Sequence, residues 1–194
     1  MKKIHLIFTI LIGILFSGCS NDNDDNATVM TGEIIINGQT FVVNKGFIIP
    51  NYTGTDPNYD PRRFYIVLAN GDVSLENNEF VFANNITQLI DFNMYSSVSS
   101  SGSIENTSYA IYNPTDPNFN SDNAFIDHAN IGTNVVVQNN QVVTYDSLSS
   151  DDLTGQATIT QNNGIFTITY AFSNSQNTIS GSFTGNLTDL NYQY

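Results

Sequence analysis

Apolar and polar residues alternate along much of the chain with the two-residue period of a β-strand. The alternation is clearest in residues 165–172 and recurs in residues 89–95 and 157–161. In the first of these segments every second residue is apolar, namely Phe166, Ile168, Tyr170 and Phe172. This period places one face of a strand on a core and the other toward solvent. A sustained 3.6-residue stripe is absent from the sequence, so we expect almost no helix.

Short Asn-rich turns separate the alternating segments. Asn-Gly pairs stand at 37–38, 70–71 and 163–164, each between two β-rich runs, and Asn139-Asn140 separates two more. Asn and Gly tolerate the positive φ angles of a type I′ turn, whose twist matches that of two paired antiparallel strands. The sequence therefore predicts four β-hairpins.

The last strongly alternating segment, residues 179–187, contains glycine on its apolar face. Its inward set is Ile179, Gly181, Phe183, Gly185 and Leu187. Inward glycines indicate sharp coiling or the close approach of a large side chain such as an aromatic ring.

These patterns predict an all-β fold in a single domain, residues 30–194. The expected architecture is an antiparallel β-sandwich of about eight to eleven strands. A flattened meandering β-barrel is the alternative, because hairpins outnumber long crossovers. The 13 Phe and 10 Tyr can fill the core although the chain has no Trp.

The amino-terminal residues have the three parts of a secretory signal peptide, residues 1–18. Lys2 and Lys3 precede an apolar run at residues 4–16, and Ser17 and Gly18 supply small residues before a cleavage site. The run is shorter than the roughly 20 residues that a membrane-spanning helix needs.

Cys19 is the only cysteine of the chain and follows this segment directly. Phe16-Ser17-Gly18-Cys19 resembles the lipobox of bacterial lipoproteins, although that family favours Leu where this chain has Phe16. The resemblance implies that Cys19 is the lipid attachment site. A disulfide would need a second cysteine.

Residues 19–29 are Asn- and Asp-rich and predict an acidic flexible tether. The segment from Ser20 to Asn26 is similar to the export signal of Bacteroidota lipoproteins. The similarity implies an outer-membrane, lipid-anchored protein that faces the cell exterior, with the periplasmic leaflet as the alternative.

The carboxyl-terminal hairpin, residues 164–187, resembles that of small Bacteroidota cell-surface lipoproteins. Those proteins end in an aromatic alternating strand, a polar turn, and the spacing seen here from Ile179 to Leu187. The opening segment, residues 32–47, is similar to their first hairpin. The resemblance implies a β-sandwich-like domain, and it implies no chemistry because the group has no common function.

The charge of the chain is strongly acidic, with 18 Asp and Glu against 5 Lys and Arg. Removal of residues 1–18 would leave three cations, Lys45, Arg62 and Arg63, and a net charge of about −15. Such a surface repels phosphate backbones, so we expect no nucleic-acid partner.

Catalytic motifs are sparse, and we predict no catalytic residues and no enzyme. The predicted mature chain has one histidine, His128, beside Asp127. Neighbours in a regular strand point to opposite faces, so this pair is not a ready-made dyad. A hydrolase built on two carboxylates is the less favoured reading, because the sequence cannot select a pair from 18 acids.

Two loops share the pattern Tyr-x-x-Thr-Asp-Pro-Asn-aromatic, at residues 52–59 and 112–119. One interpretation is turn chemistry, in which Asp and Asn cap the turn and Pro restricts φ. The other is that both loops rim one ligand-binding surface. Its candidate binding residues are Tyr52, Tyr59, Tyr112 and Phe119.

Oxygen-bearing residues in the second loop follow the rhythm of a calcium-binding loop. The candidate ligands at positions 1, 3, 5, 7 and 12 are Asp116, Asn118, Asn120, Asp122 and Asp127. Ser121 replaces the usual glycine, and Asp stands at position 12 in place of Glu. The prediction is no cofactor, with calcium as the alternative, since side-chain hydrogen bonds within an Asn-rich turn explain the same residues.

The sequence favours a surface-anchored binding or accessory module for a glycan, a peptide or a partner protein. A structural envelope lipoprotein that packs into a larger assembly is the alternative. The tripeptide Asp146-Ser147-Leu148 is similar to the O-glycosylation motif of Bacteroidota exported proteins.

Overall fold

A computed structural model describes residues 30–51, 60–100, 102–113, 115–149 and 153–190. The predicted signal peptide, Cys19 and the acidic tether lie outside the described residues. So do Tyr52 and Tyr59 of the first loop.

The described residues are nearly all β, which confirms the predicted fold class. They form fourteen strands and one short 3-10 helix at Val98–Ser100. The first seven strands are β1 Thr31–Ile36, β2 Gln39–Val42, β3 Lys45–Ile49, β4 Arg63–Ala69, β5 Val73–Glu76, β6 Glu79–Phe82 and β7 Gln88–Tyr95. The others are β8 Thr107–Ile111, β9 Phe125–Gln138, β10 Gln141–Ser149, β11 Thr154–Asn162, β12 Ile165–Ser173, β13 Thr178–Gly185 and β14 Thr188–Asp189.

Twelve of these strands belong to one curled sheet that forms a half-barrel, in the order β14-β3-β4-β7-β9-β8-β11-β12-β13-β1-β2. β10 pairs with β9 beside this path, and β5 and β6 form a small second sheet. Most pairs are antiparallel, as expected, but β14 runs parallel to β3, and β8 runs parallel to β9. The result is a half-barrel with a small second sheet, and its fourteen strands exceed the expected eight to eleven.

The concave face of the half-barrel holds the larger cluster of buried side chains, here called the inner core. The inward apolar side chains of the alternating segments lie in it or pack against it, including Phe92, Ile168 and Phe183. Tyr109 of β8 is fully buried there, and its ring meets that of Phe64 edge-on at 5.8 Å between centroids.

A second cluster, here called the outer core, covers the opposite face of β4 and β7. It includes Val67, Leu89 and Val135, and Phe80 and Phe82 of the small sheet pack on it. Part of the central sheet is therefore buried on both faces. The alternation in residues 89–95 does not reveal this, since Asp91 and Asn93 on the outer face are also buried, at 9% and 6% exposure.

Three of the four predicted hairpins are confirmed. The turns at Asn37-Gly38, Asn139-Asn140 and Asn163-Gly164 connect paired strands with positive φ at both residues. The small sheet has another turn with positive φ at both residues, Asn77-Asn78, which was not predicted from the sequence.

The predicted hairpin at Asn70-Gly71 is wrong, because β4 pairs with β3 and β7 and not with β5. Asn70 instead ties two segments together. Its Oδ1 accepts hydrogen bonds from the backbone N–H groups of Thr87, at 2.9 Å, and Gln88, at 3.2 Å. Gly71 packs so closely on Ile86 that a Cβ would lie 2.6 Å from Cγ1 of that side chain.

Within the described part of the chain, no helix has the length and apolar character needed to cross a membrane.

Candidate functional site

A polar cleft of about 560 Å³ opens on the solvent face of β8 and is here called the β8 cleft. Its floor comes from three exposed residues, Ser108 and Ala110 of β8 and Gln156 of the adjacent strand β11. Because side chains alternate along a strand, Tyr109 between the two floor residues enters the inner core. The small side chains of Ser108 and Ala110 do not fill the space above the floor, so the cleft keeps its depth.

The first wall is the segment that follows β7, and Glu105 holds it in place. The Glu105 carboxylate accepts two hydrogen bonds from Ser97, one from the backbone N–H at 2.7 Å and one from the hydroxyl at 2.8 Å. Glu105 is in turn fixed to the inner core, since its backbone N–H donates to Oη of the buried Tyr109 at 3.0 Å. Both oxygens of the Glu105 carboxylate are therefore used in charge-assisted hydrogen bonds that hold the first wall.

The second wall is the loop of residues 115–123, built from consecutive side-chain-capped turns. Oδ1 of Asp116 accepts from the backbone N–H of Asn118 at 2.9 Å, and Oδ1 of Asn120 accepts from that of Asp122 at 2.9 Å. Asn113 caps its own turn in the same way. These contacts are the local hydrogen bonds that Asn and Asp favour in turns.

The two walls are joined to each other and to the sheet. The backbone N–H of Val98 donates to the carbonyl of Asp122 at 2.9 Å, and Nη1 of Arg62 donates to the carbonyl of Ser121 at 3.0 Å. Arg62 is held by an ion pair with Asp60, whose carboxylate lies 2.7 Å from its Nη2. The rim of the cleft is thus tied to the residue that precedes β4.

Phe119 projects from the second wall and is the aromatic ring that lines the cleft. Its ring meets that of Tyr112 edge-on, with centroids 4.7 Å apart, and that of Phe125 at 5.4 Å. Phe125 stacks in parallel on Tyr95 at 4.7 Å. The structure thus brings two of the four predicted binding residues, Tyr112 and Phe119, into contact. The other two, Tyr52 and Tyr59, stay predictions.

The cleft carries negative charge, and its carboxylates already accept hydrogen bonds from the residues of the walls. Among its described lining residues only Glu105 and Asp116 carry a charge, and none is Lys or Arg. The others offer mainly amide and hydroxyl groups, which both donate and accept hydrogen bonds. A depression of about 580 Å³ beside Thr154 and Gln176 has no aromatic ring among its described lining residues, so the β8 cleft is the stronger candidate.

The five predicted calcium ligands lie in two places. Four belong to the capped loop of the second wall, in which Asp116 and Asn120 each use Oδ1 in a turn. Asp127 lies in β9, where its Oδ2 accepts from Nδ2 of Asn93 at 3.0 Å. No group of three or more His, Cys, Asp or Glu side chains that could hold a metal ion occurs in the described ranges. Calcium binding stays a prediction.

The neighbours Asp127 and His128 do not follow the regular alternation expected of them. A register shift opposite Asn93 and Met94 makes Asp127 the extra residue of a β-bulge, and Asn93 pairs with His128. Because Asp127 also contacts Asn93, both neighbours reach the outer face of the sheet.

Asp91 is the most perturbed carboxyl of this outer face. Burial raises its pKa to about 6, although hydrogen bonds from Tyr65 and Asn130 and the charge of His128 offset part of the rise. The cavity between Asp91 and Phe80 measures only about 20 Å³, which is room for one water molecule. The carboxyl belongs to a buried polar cluster and does not face an open cleft.

Several cleft residues were missed from sequence, notably Glu105, Ser108 and Gln156. The alternation around Tyr109 and around Ala157 could have placed Ser108 and Gln156 on outward faces. That these faces lie side by side depends on the pairing of β8 with β11, in which Gln156 opposes Ala110.

Comparisons with known proteins give no match, whether to protein family models, to curated protein sequences or to solved structures.

Proposed function

We propose that this protein is a lipid-anchored cell-surface binding module whose ligand occupies the β8 cleft. The observation that carries the proposal is the cleft itself, a space of about 560 Å³ with one aromatic ring among amide and hydroxyl groups. Ligand pockets commonly measure about 300–1,000 Å³ and place a few polar groups around the ligand. Both walls are braced by hydrogen bonds, so the site is formed before a ligand arrives.

The proposed location follows from the amino-terminal sequence. Acylation of Cys19 would tether the domain at its first mature residue, and the acidic tether would hold the domain away from the lipid surface. The ligand is then a molecule met at the outer membrane, and the acidic surface makes nucleic acid an unsuitable partner.

A photo-crosslinking experiment in intact cells tests this function without assuming the ligand. A crosslinking side chain replaces Gln156 on the cleft floor in the full-length protein, and a matched control carries it at Thr160. Thr160 is exposed on the same strand and outside the cleft. We expect a crosslinked adduct from position 156 and none from position 160. Identical adduct patterns from both positions would refute the proposal.

The structural envelope protein remains a second candidate function because of one hairpin. β9 and β10 expose three large apolar side chains, Val136, Val143 and Tyr145, at 41%, 52% and 47%. An exposed apolar patch can mark an interface, and these three side chains belong to one hairpin. A crosslinker at Val143 that captures an envelope protein, together with a silent position 156, would favour this candidate.

A further inference from the structure

We infer that the β8 cleft selects an uncharged saccharide, an inference that rests on the proposed function and names its ligand class. Candidate ligands differ in charge, in their hydrogen-bonding groups and in whether they need a free edge of the sheet. The cleft discriminates among them on each of these properties.

Charge argues against anionic ligands. A phosphate, sulfate or uronate group needs Lys, Arg or a cluster of backbone N–H donors to replace its water. The described lining supplies neither Lys nor Arg and adds the carboxylates of Glu105 and Asp116. The chain as a whole carries a net charge of −13, which further repels anions.

Hydrogen-bonding chemistry favours a polyol. A sugar hydroxyl both donates and accepts, and the side chains that match it are those that do the same. Amides of this kind stand on the floor at Gln156 and on the second wall at Asn118 and Asn123, with the Ser108 hydroxyl between the walls. Phe119 offers the apolar ring on which the C–H face of a sugar packs.

The sheet topology argues against an extended peptide. A peptide that binds by strand addition needs a free sheet edge. β8 pairs with β11 over residues 107–110 and with β9 at Ala110 and Ile111, so both edges of β8 are occupied at Ala110 on the floor. The lining is also poor in the apolar pockets that anchor peptide side chains, since Phe119 stands with only Ala110 and Ala124.

An array of matched oligosaccharides tests the inference on the purified full chain. Each neutral oligosaccharide is paired with its sulfated or uronate counterpart. We expect binding to neutral members, with a dissociation constant that changes less than about twofold between 0.05 and 0.5 M NaCl, because no charge pair contributes. Preference for the acidic counterparts, or no binding to any neutral member, would overturn the inference.

Two variants locate the binding on the array. Phe119→Leu keeps apolar volume but removes the ring, and Gln156→Ala removes one amide from the exposed floor. We expect each to weaken neutral-glycan binding about five- to tenfold, the equivalent of one hydrogen bond or ring contact. Thr160→Ala, on the same strand outside the cleft, is the control and should leave affinity unchanged. Equal affinity in all three variants would also overturn the inference.

The outcomes separate this inference from the proposed function. Binding of an acidic glycan that Gln156→Ala weakens would refute the neutral saccharide and leave the binding module intact. A crosslink from position 156 in cells to a peptide would do the same. Silence of position 156 in cells would remove the proposed function itself.

Discussion

The ring of Tyr170 packs directly on Gly181, and its hydroxyl reaches past the glycine to donate to the carbonyl of Glu33 at 2.8 Å. A Cβ on Gly181 would lie 2.3 Å from the Tyr170 hydroxyl and 2.2 Å from the Glu33 carbonyl. The glycine thus lets an aromatic ring cross β13 and bond to β1. This is the close aromatic approach that inward glycines predicted.

Gly181→Ala should therefore destabilise the domain by about 1–3 kcal/mol, the usual cost of overpacking a core. Either the Glu33 carbonyl moves or the Tyr170 hydroxyl loses its acceptor. Denaturant unfolding measures the loss, with Ser180→Ala on the exposed face of β13 as the control, expected within about 0.5 kcal/mol of the wild type. Equal stability of the two variants would show that the site relaxes freely.

Glu105→Gln should loosen the first wall of the β8 cleft. The amide group of Gln cannot accept the second of the two hydrogen bonds from Ser97, so we expect a loss of about 1–2 kcal/mol. Hydrogen exchange of the Ser97 amide should become faster. Glu79→Gln, at an exposed position of β6, is the matched control. Unchanged exchange at Ser97 would contradict the role assigned to Glu105.

The buried carboxyl of Asp91 should make stability depend on pH. Its pKa is raised from 3.8 to about 6, so between these values the folded state binds more protons than the unfolded state. The contribution of Asp91 to the free energy of unfolding is therefore fully present below about pH 4 and is lost as pH rises toward 6, a change of about 3 kcal/mol. Asp91→Asn should remove this fall, so the variant gains stability over the wild type between pH 4 and 6.

Asp60→Asn gives the opposite profile and serves as the comparison. The hydrogen bond from Arg62 lowers the pKa of Asp60, so its stabilising effect is present above the ordinary value of 3.8 and is lost as pH falls. This variant should be weaker than the wild type at neutral pH and approach it in acid. Parallel pH profiles for the two variants would contradict the assignment of Asp91.

Calcium binding has a direct thermal test. At about 100 times its dissociation constant, calcium would stabilise the folded state by about 2.7 kcal/mol. Asp116→Ala also removes a turn hydrogen bond, so the variant should melt lower even in chelator. The signature of calcium is a rise in melting temperature that the wild type has and the variant lacks. Equal melting in calcium and chelator for both proteins would exclude calcium.

The lipid anchor is tested by Cys19→Ser, which should yield soluble or uncleaved protein because the chain has no other cysteine. Replacing Asp22, Asp24 and Asp25 by Ala should leave acylation intact and reduce surface exposure. Protease shaving of whole cells measures that exposure. Equal cleavage of this variant and the wild type would refute the export interpretation.

Local sequence was enough to predict the β class, several of the strands and most of the turns. The two-residue period around Phe166 to Phe172 and the positive-φ turns at Asn37, Asn139 and Asn163 depend on neighbouring residues alone, so they survive in the folded chain. Aromatic packing on glycine in β13 was predictable because an inward glycine leaves space that a large neighbouring side chain can occupy. Asn70-Gly71 failed because the side chain of Asn70 found a tertiary partner in the 87–88 segment.

Only the tertiary structure decided which strands meet and which faces water reaches. Asp91 has the alternation of an exposed residue, yet the small sheet helps to bury it. Ser108 and Gln156 are 48 positions apart and become one floor because β8 pairs with β11. Strand pairing is non-local, and the loss of chain entropy on bringing distant segments together is repaid only by the completed core. The alternation of a single strand therefore cannot specify its neighbour, and the cleft could not be read from the sequence.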